Sequence, residues 1–129
     1  MFRVDQPSSL LVVGEAILGG QLRASGFSVT ELEDGEALLH HIWSSFEGPM
    51  LSIRPAGAVV CDSVCSPDAF AVIAALREEG CDLPVVVTRC RSDRPSHELA
   101  HVERIAYPCS VECVLEALGR AASMARIGA

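Results

Sequence analysis

The chain has 129 residues, which is enough for one domain with a single buried core. Half of the residues are hydrophobic but only 5% are aromatic, so we expect a core of Val, Leu, Ile and Ala, as in proteins with a buried parallel sheet. The formal net charge of -7 argues against binding to nucleic-acid phosphates and against docking on an anionic membrane.

The first apolar block is a candidate buried strand. "SLLVVG" (9–14) is a short apolar run that ends in a turn residue, which predicts such a strand. "EAILGGQLRASG" (15–26) follows as a short helix that Gly26 ends. "FSVTEL" (27–32) alternates apolar and polar residues and predicts a second strand.

A second helix and a break in the pattern come next. "EDGEALLHHIW" (33–43) predicts a helix that Asp34 caps. Its apolar residues share one helical face: Leu38, Leu39 and Ile42. The segment 44–55 contains two prolines and a glycine, so we expect an insertion loop there.

The middle of the chain contains the clearest strand and helix pair. "AGAVVCD" (56–62) predicts a third strand that ends in a carboxylate. "SPDAFAVIAALREEG" (66–80) predicts a helix with the usual start and stop signals. These are Ser66 at the N-cap, Pro67 at the first helical position, Asp68 in the first turn and Gly80 at the end.

The last third completes the alternation. "LPVVVT" (83–88) predicts a fourth buried strand, "SHELAHVE" (96–103) a short helix and "RIAY" (104–107) a fifth strand. The final helix, 110–128, begins at the capping residue Ser110. Strands and helices alternate five times, so we expect a doubly wound parallel α/β sheet with helices on both faces.

The candidate site lies where these strands end. In a doubly wound sheet the working crevice lies beyond the carboxyl ends of the strands, where Glu15, Asp62, Thr88 and Tyr107 are found. Two carboxylates next to a hydroxyl offer oxygen ligands for Mg²⁺, with Glu15 and Asp62 as the ligands. Simpler alternatives are that Asp62 is a solvated strand-end acid or a helix-capping acceptor, that a helix dipole favours Glu15 in the first turn, and that Thr88 hydrogen-bonds its own backbone.

Five short motifs in order resemble the receiver domain of two-component response regulators. They are "LLVVGE", "EDGEALL", "VVCD", "PVVVT" and "YPCS", and the resemblance spans about residues 9 to 122 of one domain. It implies a flavodoxin-like, CheY-like (β-α)5 fold with strand order 2-1-3-4-5. It also implies signal transduction by phosphorelay.

The resemblance also implies residue roles. Asp62 matches the aspartate that accepts a phosphoryl group from a histidine kinase, and Thr88 matches the hydroxyl that senses it. In such chemistry a metal ion neutralises the transferring group. Tyr107 stands where the family has a lysine that contacts the phosphoryl oxygens, and Glu15 matches one member of the acidic pair that binds the metal.

Two of the family's charged positions are lost. Gly14 replaces one member of the acidic pair, and Tyr107 carries no positive charge at neutral pH. Arg89 is the nearest cation in sequence to Thr88. We therefore interpret the chain as a degenerate receiver (pseudo-receiver) that works through protein contacts. The alternative is a functional Mg²⁺-dependent phospho-acceptor.

The six cysteines suggest a third hypothesis, a thiol-based redox or metal sensor. Three of them follow predicted strand ends and would converge on the same crevice: Cys65, Cys90 and Cys109. Two more, Cys61 and Cys113, lie one step further in. Because no spacing is C-x-x-C, the simpler interpretation is that cysteine fills space as a small apolar residue.

Partners and location follow from the same features. The resemblance implies a histidine kinase or a downstream signalling protein as partner. It also implies a possible homodimer through the face of the fourth and fifth strands and their helices, which would include Val102, Leu115 and Leu118. We expect surface histidines at 40, 41, 97 and 101, no enzyme activity, and a cytoplasmic location, because no secretory signal or membrane-length apolar run is found.

Overall fold

The computed structural model describes residues 9–47, 55–64, 68–89, 101–105 and 110–128. These ranges contain five strands and four α-helices, which alternate except that β5 is the next described element after β4. The strands are β1 (Ser9–Val13), β2 (Ser28–Leu32), β3 (Gly57–Cys61), β4 (Val85–Thr88) and β5 (Val102–Arg104). The helices are α1 (Ala16–Ala24), α2 (Gly35–Glu47), α3 (Ala69–Glu78) and α4 (Val111–Gly128), and a short 3-10 turn covers Asp62–Val64.

The sheet has the predicted topology. Its strand order is β2-β1-β3-β4-β5, and all four pairings are parallel. The carboxyl ends of all five strands therefore meet at one edge. The order reverses between β1 and β3, which places the expected crevice between the ends of these two strands.

The sheet is buried on both faces, as the apolar runs predicted. Helices α2 and α3 pack on one face over residues such as Leu11, Val60 and Val87. Helices α1 and α4 pack on the other face over Leu10 and Val86. This explains why β3 and β4 are apolar at every position except Thr88.

Capping residues and glycines in the sequence predicted most helix ends correctly. The Asp34 carboxylate accepts a hydrogen bond from the amide of Ala37 at 2.9 Å, and the Ser110 hydroxyl accepts one from Cys113 at 3.1 Å. Gly80 follows α3 with a left-handed φ of 80°, a conformation that glycine adopts at low cost.

Three predicted boundaries were wrong. Helix α2 continues to Glu47, so the predicted loop does not begin at residue 44; residues 48–54 lie outside the described ranges. The N-cap of α3 is Asp68, whose side chain accepts from Ala71, whereas Ser66 was predicted. Residues 102 and 103 are strand instead of helix, because Val102 pairs with Val85 of β4.

The predicted partner face also needs correction. Val102 and Leu118 are buried in the core, and Leu115 is half-buried against the core on the α4 side. These side chains fill the interior because β5 and α4 pack on the rest of the sheet. Among the described helices, none is long and apolar enough to cross a membrane.

Candidate functional site

The crevice brings two buried carboxylates and a buried hydroxyl to one end of the sheet. Glu15 follows β1, Asp62 follows β3 and Thr88 ends β4, where it pairs in register with Cys61. The exposed fractions of the three side chains are 6%, 2% and 0%. Buried polar groups of this kind need protein partners, and those partners define the site.

Glu15 and Thr88 are directly bonded. The Thr88 hydroxyl donates to Glu15 Oε2 at 2.6 Å across 73 residues of chain. Glu15 is also the N-cap residue of α1, yet its side chain makes no capping hydrogen bond there. The Glu15 carboxylate is therefore directed to the strand ends, where it accepts the hydrogen bond from Thr88, and not to the amides of α1.

Arg89 brings a positive charge to the same carboxylate. Its Nε lies 3.7 Å from Glu15 Oε2, and its side chain is 43% exposed. The backbone of Arg89 is left-handed, with a φ of 50°, which is uncommon for a residue other than glycine. The sequence identified Arg89 as a nearby cation, but it contained no signal for this backbone conformation.

Asp62 caps the following helix. One of its carboxylate oxygens, Oδ1, accepts a hydrogen bond at 3.0 Å from the backbone amide of Ala69, the first residue of α3. A carboxylate at this place also interacts favourably with the positive end of the helix dipole. The helix-capping alternative for Asp62 is thus confirmed, and its phospho-acceptor role stays a prediction.

The residues of this edge fit a divalent cation poorly. Gly14, where the resemblance predicts an acid, has no side chain, and its left-handed φ of 74° would strain one. Glu15 Oε2 and Asp62 Oδ1 already accept hydrogen bonds. Within the described ranges, no three His, Cys, Asp or Glu side chains are placed to share a metal ion.

The remaining predicted site residues are outside the described ranges or apart from the site. Tyr107, Cys65, Cys90 and Cys109 lie outside those ranges, so their roles stay predictions. Cys61 is buried, with its Sγ 3.2 Å from the Ser63 hydroxyl, as expected for a thiol that fills space.

A second polar cluster lies on the α3 side of the sheet and was not predicted. The Arg77 guanidinium donates to three backbone carbonyls, those of Cys81, Leu83 and His101, at 2.8 to 3.2 Å. Burial lowers the pKa of Arg77 from its usual value. The cluster ties the start of β4 to the start of β5.

His101 belongs to this second cluster, and the prediction of a surface histidine was wrong there. It is buried, its backbone is left-handed with a φ of 62°, and its Nδ1 lies 3.0 Å from the carbonyl of Ala121 in α4. His40 and His41 lie on α2 as predicted, and His97 is outside the described ranges. A lone histidine within a polar segment gives no signal of burial.

Comparison with solved structures identifies the fold. The crystal structure titled FixJ-N superposes with a TM-score of 0.70 at 20% identity, over 92% of this chain and 95% of that chain. A response regulator receiver protein from Sinorhizobium medicae gives 0.68 at 17% identity, over 89% and 94%. The chemotaxis protein CheY4 of Vibrio cholerae gives 0.68 at 15% identity, over 90% and 99%.

These neighbours confirm the resemblance at the level of fold. The chain has the five-stranded, doubly wound fold of response regulator receiver domains, with the strand order predicted from the sequence. No protein-family model and no curated protein matches the chain. The function must therefore be argued from the site itself.

Proposed function

We propose that this chain is a receiver-like module of two-component signal transduction that acts through protein contacts and has a weakened or lost phosphorylation site. The fold of its structural neighbours supports the signalling class. The main support for a weakened phosphorylation site is the hydrogen bond that the Thr88 hydroxyl donates to Glu15. A hydroxyl that donates to a buried carboxylate cannot donate the same proton to a phosphoryl oxygen.

The chemistry of phosphoryl transfer explains why the site of this chain would be weakened. Transfer to a carboxylate depends on positive charge that neutralises the oxygens of the moving group. In this chain the lysine of the family is replaced by Tyr107, whose phenol is neutral. Arg89, which carries charge, lies against Glu15. The carboxylate of Asp62 has the additional task of capping α3.

Partners and location complete the proposal. The partner is a histidine kinase or another signalling protein, contacted without any need for an aspartyl phosphate, and the chain itself is not an enzyme. A cytoplasmic location is part of the proposal. It rests on the spacing of the six cysteines in the sequence, which fits reduced thiols better than a disulfide framework.

The test is incubation with acetyl phosphate and Mg²⁺, followed by intact-protein mass spectrometry. We expect no phosphoryl-sized mass increase on the wild-type chain under conditions that fully modify a standard receiver domain. A mass increase that Asp62→Asn removes would overturn the proposal and establish a working phospho-acceptor. Asp68→Asn is the matched control, because Asp68 is also an acidic capping residue of α3 but is not matched to the acceptor position.

A further inference from the structure

The Glu15 carboxylate sits in an environment that differs from that of a metal ligand. Its Oε2 atom accepts a short hydrogen bond from Thr88 and forms an ion pair with Arg89. The carboxylate is 6% exposed, so few water molecules reach it. A buried carboxylate needs polar or charged partners within the protein, and here Thr88 donates a hydrogen bond to it and Arg89 brings a positive charge.

Arg89 has an uncommon backbone conformation at the end of β4. Arg89 follows Thr88 directly and adopts a left-handed φ of 50°. Only two non-glycine residues in the described ranges have such a conformation; the other is the buried His101. Strained conformations of this kind persist where surrounding interactions favour them. At Arg89 such an interaction is the ion pair with Glu15, which crosses from β4 to β1.

A divalent cation would compete with this arrangement. Mg²⁺ prefers oxygen ligands in a nearly octahedral shell, usually with one or two carboxylates. The neighbouring position, Gly14, has no side chain to offer, and Asp62 Oδ1 is bonded to the α3 amide. A cation at Glu15 Oε2 would have to compete with the Thr88 proton and lie beside the Arg89 guanidinium.

We propose that Arg89 is the built-in counter-ion of Glu15 and excludes divalent cations from this carboxylate. The charge that a metal supplies in a standard receiver site is thus supplied by a side chain of the same domain. The role of Arg89 rests on the proposed function and extends it, because it explains how the Glu15 carboxylate is stabilised at the strand ends without a metal ion. It assigns Arg89 a positioning role that acts on Glu15 and, through Glu15, on Thr88.

The test compares melting temperatures with and without about 10 mM MgCl₂, against NaCl of matched ionic strength. The variant Arg89→Asn removes the charge, and asparagine tolerates left-handed backbone better than most residues. The matched control is Arg23→Asn in the last turn of α1, which removes an exposed arginine whose ion pair is with Glu31 and not with Glu15.

The wild-type chain and Arg23→Asn should show Mg²⁺-dependent shifts below about 1 °C. Arg89→Asn should gain a saturable rise in melting temperature of about 2 °C or more. Adding Glu15→Gln to Arg89→Asn should abolish that gain. Arg89→Lys keeps the charge and should behave as the wild type. If Arg89→Asn does not fold, Arg89→Gly replaces it, because glycine removes the backbone strain as well as the charge.

Two results would overturn the proposal. One is a saturable Mg²⁺ stabilisation of the wild-type chain that Glu15→Gln removes. The other is the absence of any Mg²⁺ response in a folded variant that lacks the Arg89 charge. Neither measurement includes a phosphodonor, so both are independent of the mass spectrometry at Asp62. A chain that is phosphorylated but insensitive to Mg²⁺ would contradict the proposed function and leave the role of Arg89 intact.

Discussion

Replacing Thr88 by valine tests the central hydrogen bond of the site. Thr88 is fully buried, and its hydroxyl donates to Glu15 Oε2 at 2.6 Å. Valine has nearly the same shape and remains β-branched, so β4 should keep its geometry. The substitution therefore removes one donor and little else. It leaves a buried carboxylate with one hydrogen bond fewer.

The size of the effect follows from the charge on the acceptor. A hydrogen bond to a charged group contributes about 1.5 to 3 kcal/mol, more than a bond between neutral groups. Arg89 does not replace this donor, because its Nε lies 3.7 Å from Glu15 Oε2, beyond hydrogen-bond distance. We expect Thr88→Val to lower the free energy of unfolding by about 2 kcal/mol. In a chain of this size that corresponds to a drop of about 6 to 10 °C in melting temperature.

The assay is urea unfolding followed by circular dichroism, arranged as a double-mutant cycle with Glu15→Gln. If the bond exists, the two substitutions should show a coupling free energy of about 1 to 2 kcal/mol, because either one alone removes it. Thr30→Val is the matched control. Thr30 lies on β2 at a half-exposed position, so its substitution should change stability by less than about 0.5 kcal/mol.

Two outcomes would refute this reasoning. A coupling below about 0.5 kcal/mol would mean that the hydroxyl and the carboxylate do not depend on each other. A Thr88→Val variant as stable as the wild type would mean that Glu15 finds another donor at no cost. Either result would also remove the main support for a switch hydroxyl engaged inside the protein.

Three further substitutions test packing and hydrogen bonding elsewhere in the fold. Gly57→Ala should lower the free energy of unfolding by about 1 to 3 kcal/mol, because a Cβ there would lie 2.7 Å from Cδ2 of the buried Leu118. Gly20→Ala in α1, where a Cβ meets nothing within 4 Å, should instead raise it by up to about 1 kcal/mol, and urea unfolding of both variants checks the contrast. Arg77→Met should cost about 2 kcal/mol by the same assay, because three carbonyls, including that of His101, lose a charged donor. Faster amide exchange at the start of β5 should accompany it, and unchanged exchange there would contradict the role given to Arg77.

The fold could be predicted largely because its signals are local. Capping residues such as Asp34 and Ser110 act within three residues, and the left-handed glycine after α3 ends its own helix. Strand β5 was misplaced because it is three residues long and forms only by pairing with β4. Its sequence, "VER", has no periodicity of its own, so the long-range pairing decides its structure.

The site could be predicted by position but not by bonding. The strand-end rule selected Glu15, Asp62 and Thr88, and the structure places all three in buried positions at or just after the ends of their strands. Their partners depend on side-chain geometry between distant segments, such as the 73 residues between Glu15 and Thr88. The left-handed backbone of Arg89 has no sequence signal, because arginine does not favour that conformation.

The hydrogen bond between Thr88 and Glu15 adds a free-energy cost to any conformational change that moves the Thr88 hydroxyl toward Asp62. A group attached at Asp62 changes the conformation only if it interacts more favourably with one state than with the other. To recruit Thr88, a phosphoryl group would first have to replace a bond that contributes about 1.5 to 3 kcal/mol. That difference alone corresponds to a factor of about 10 to 150 in population in favour of the unmodified arrangement. Under the proposed function, a partner that recognises the unmodified arrangement would bind the predominant state, and its binding would need no phosphoryl group.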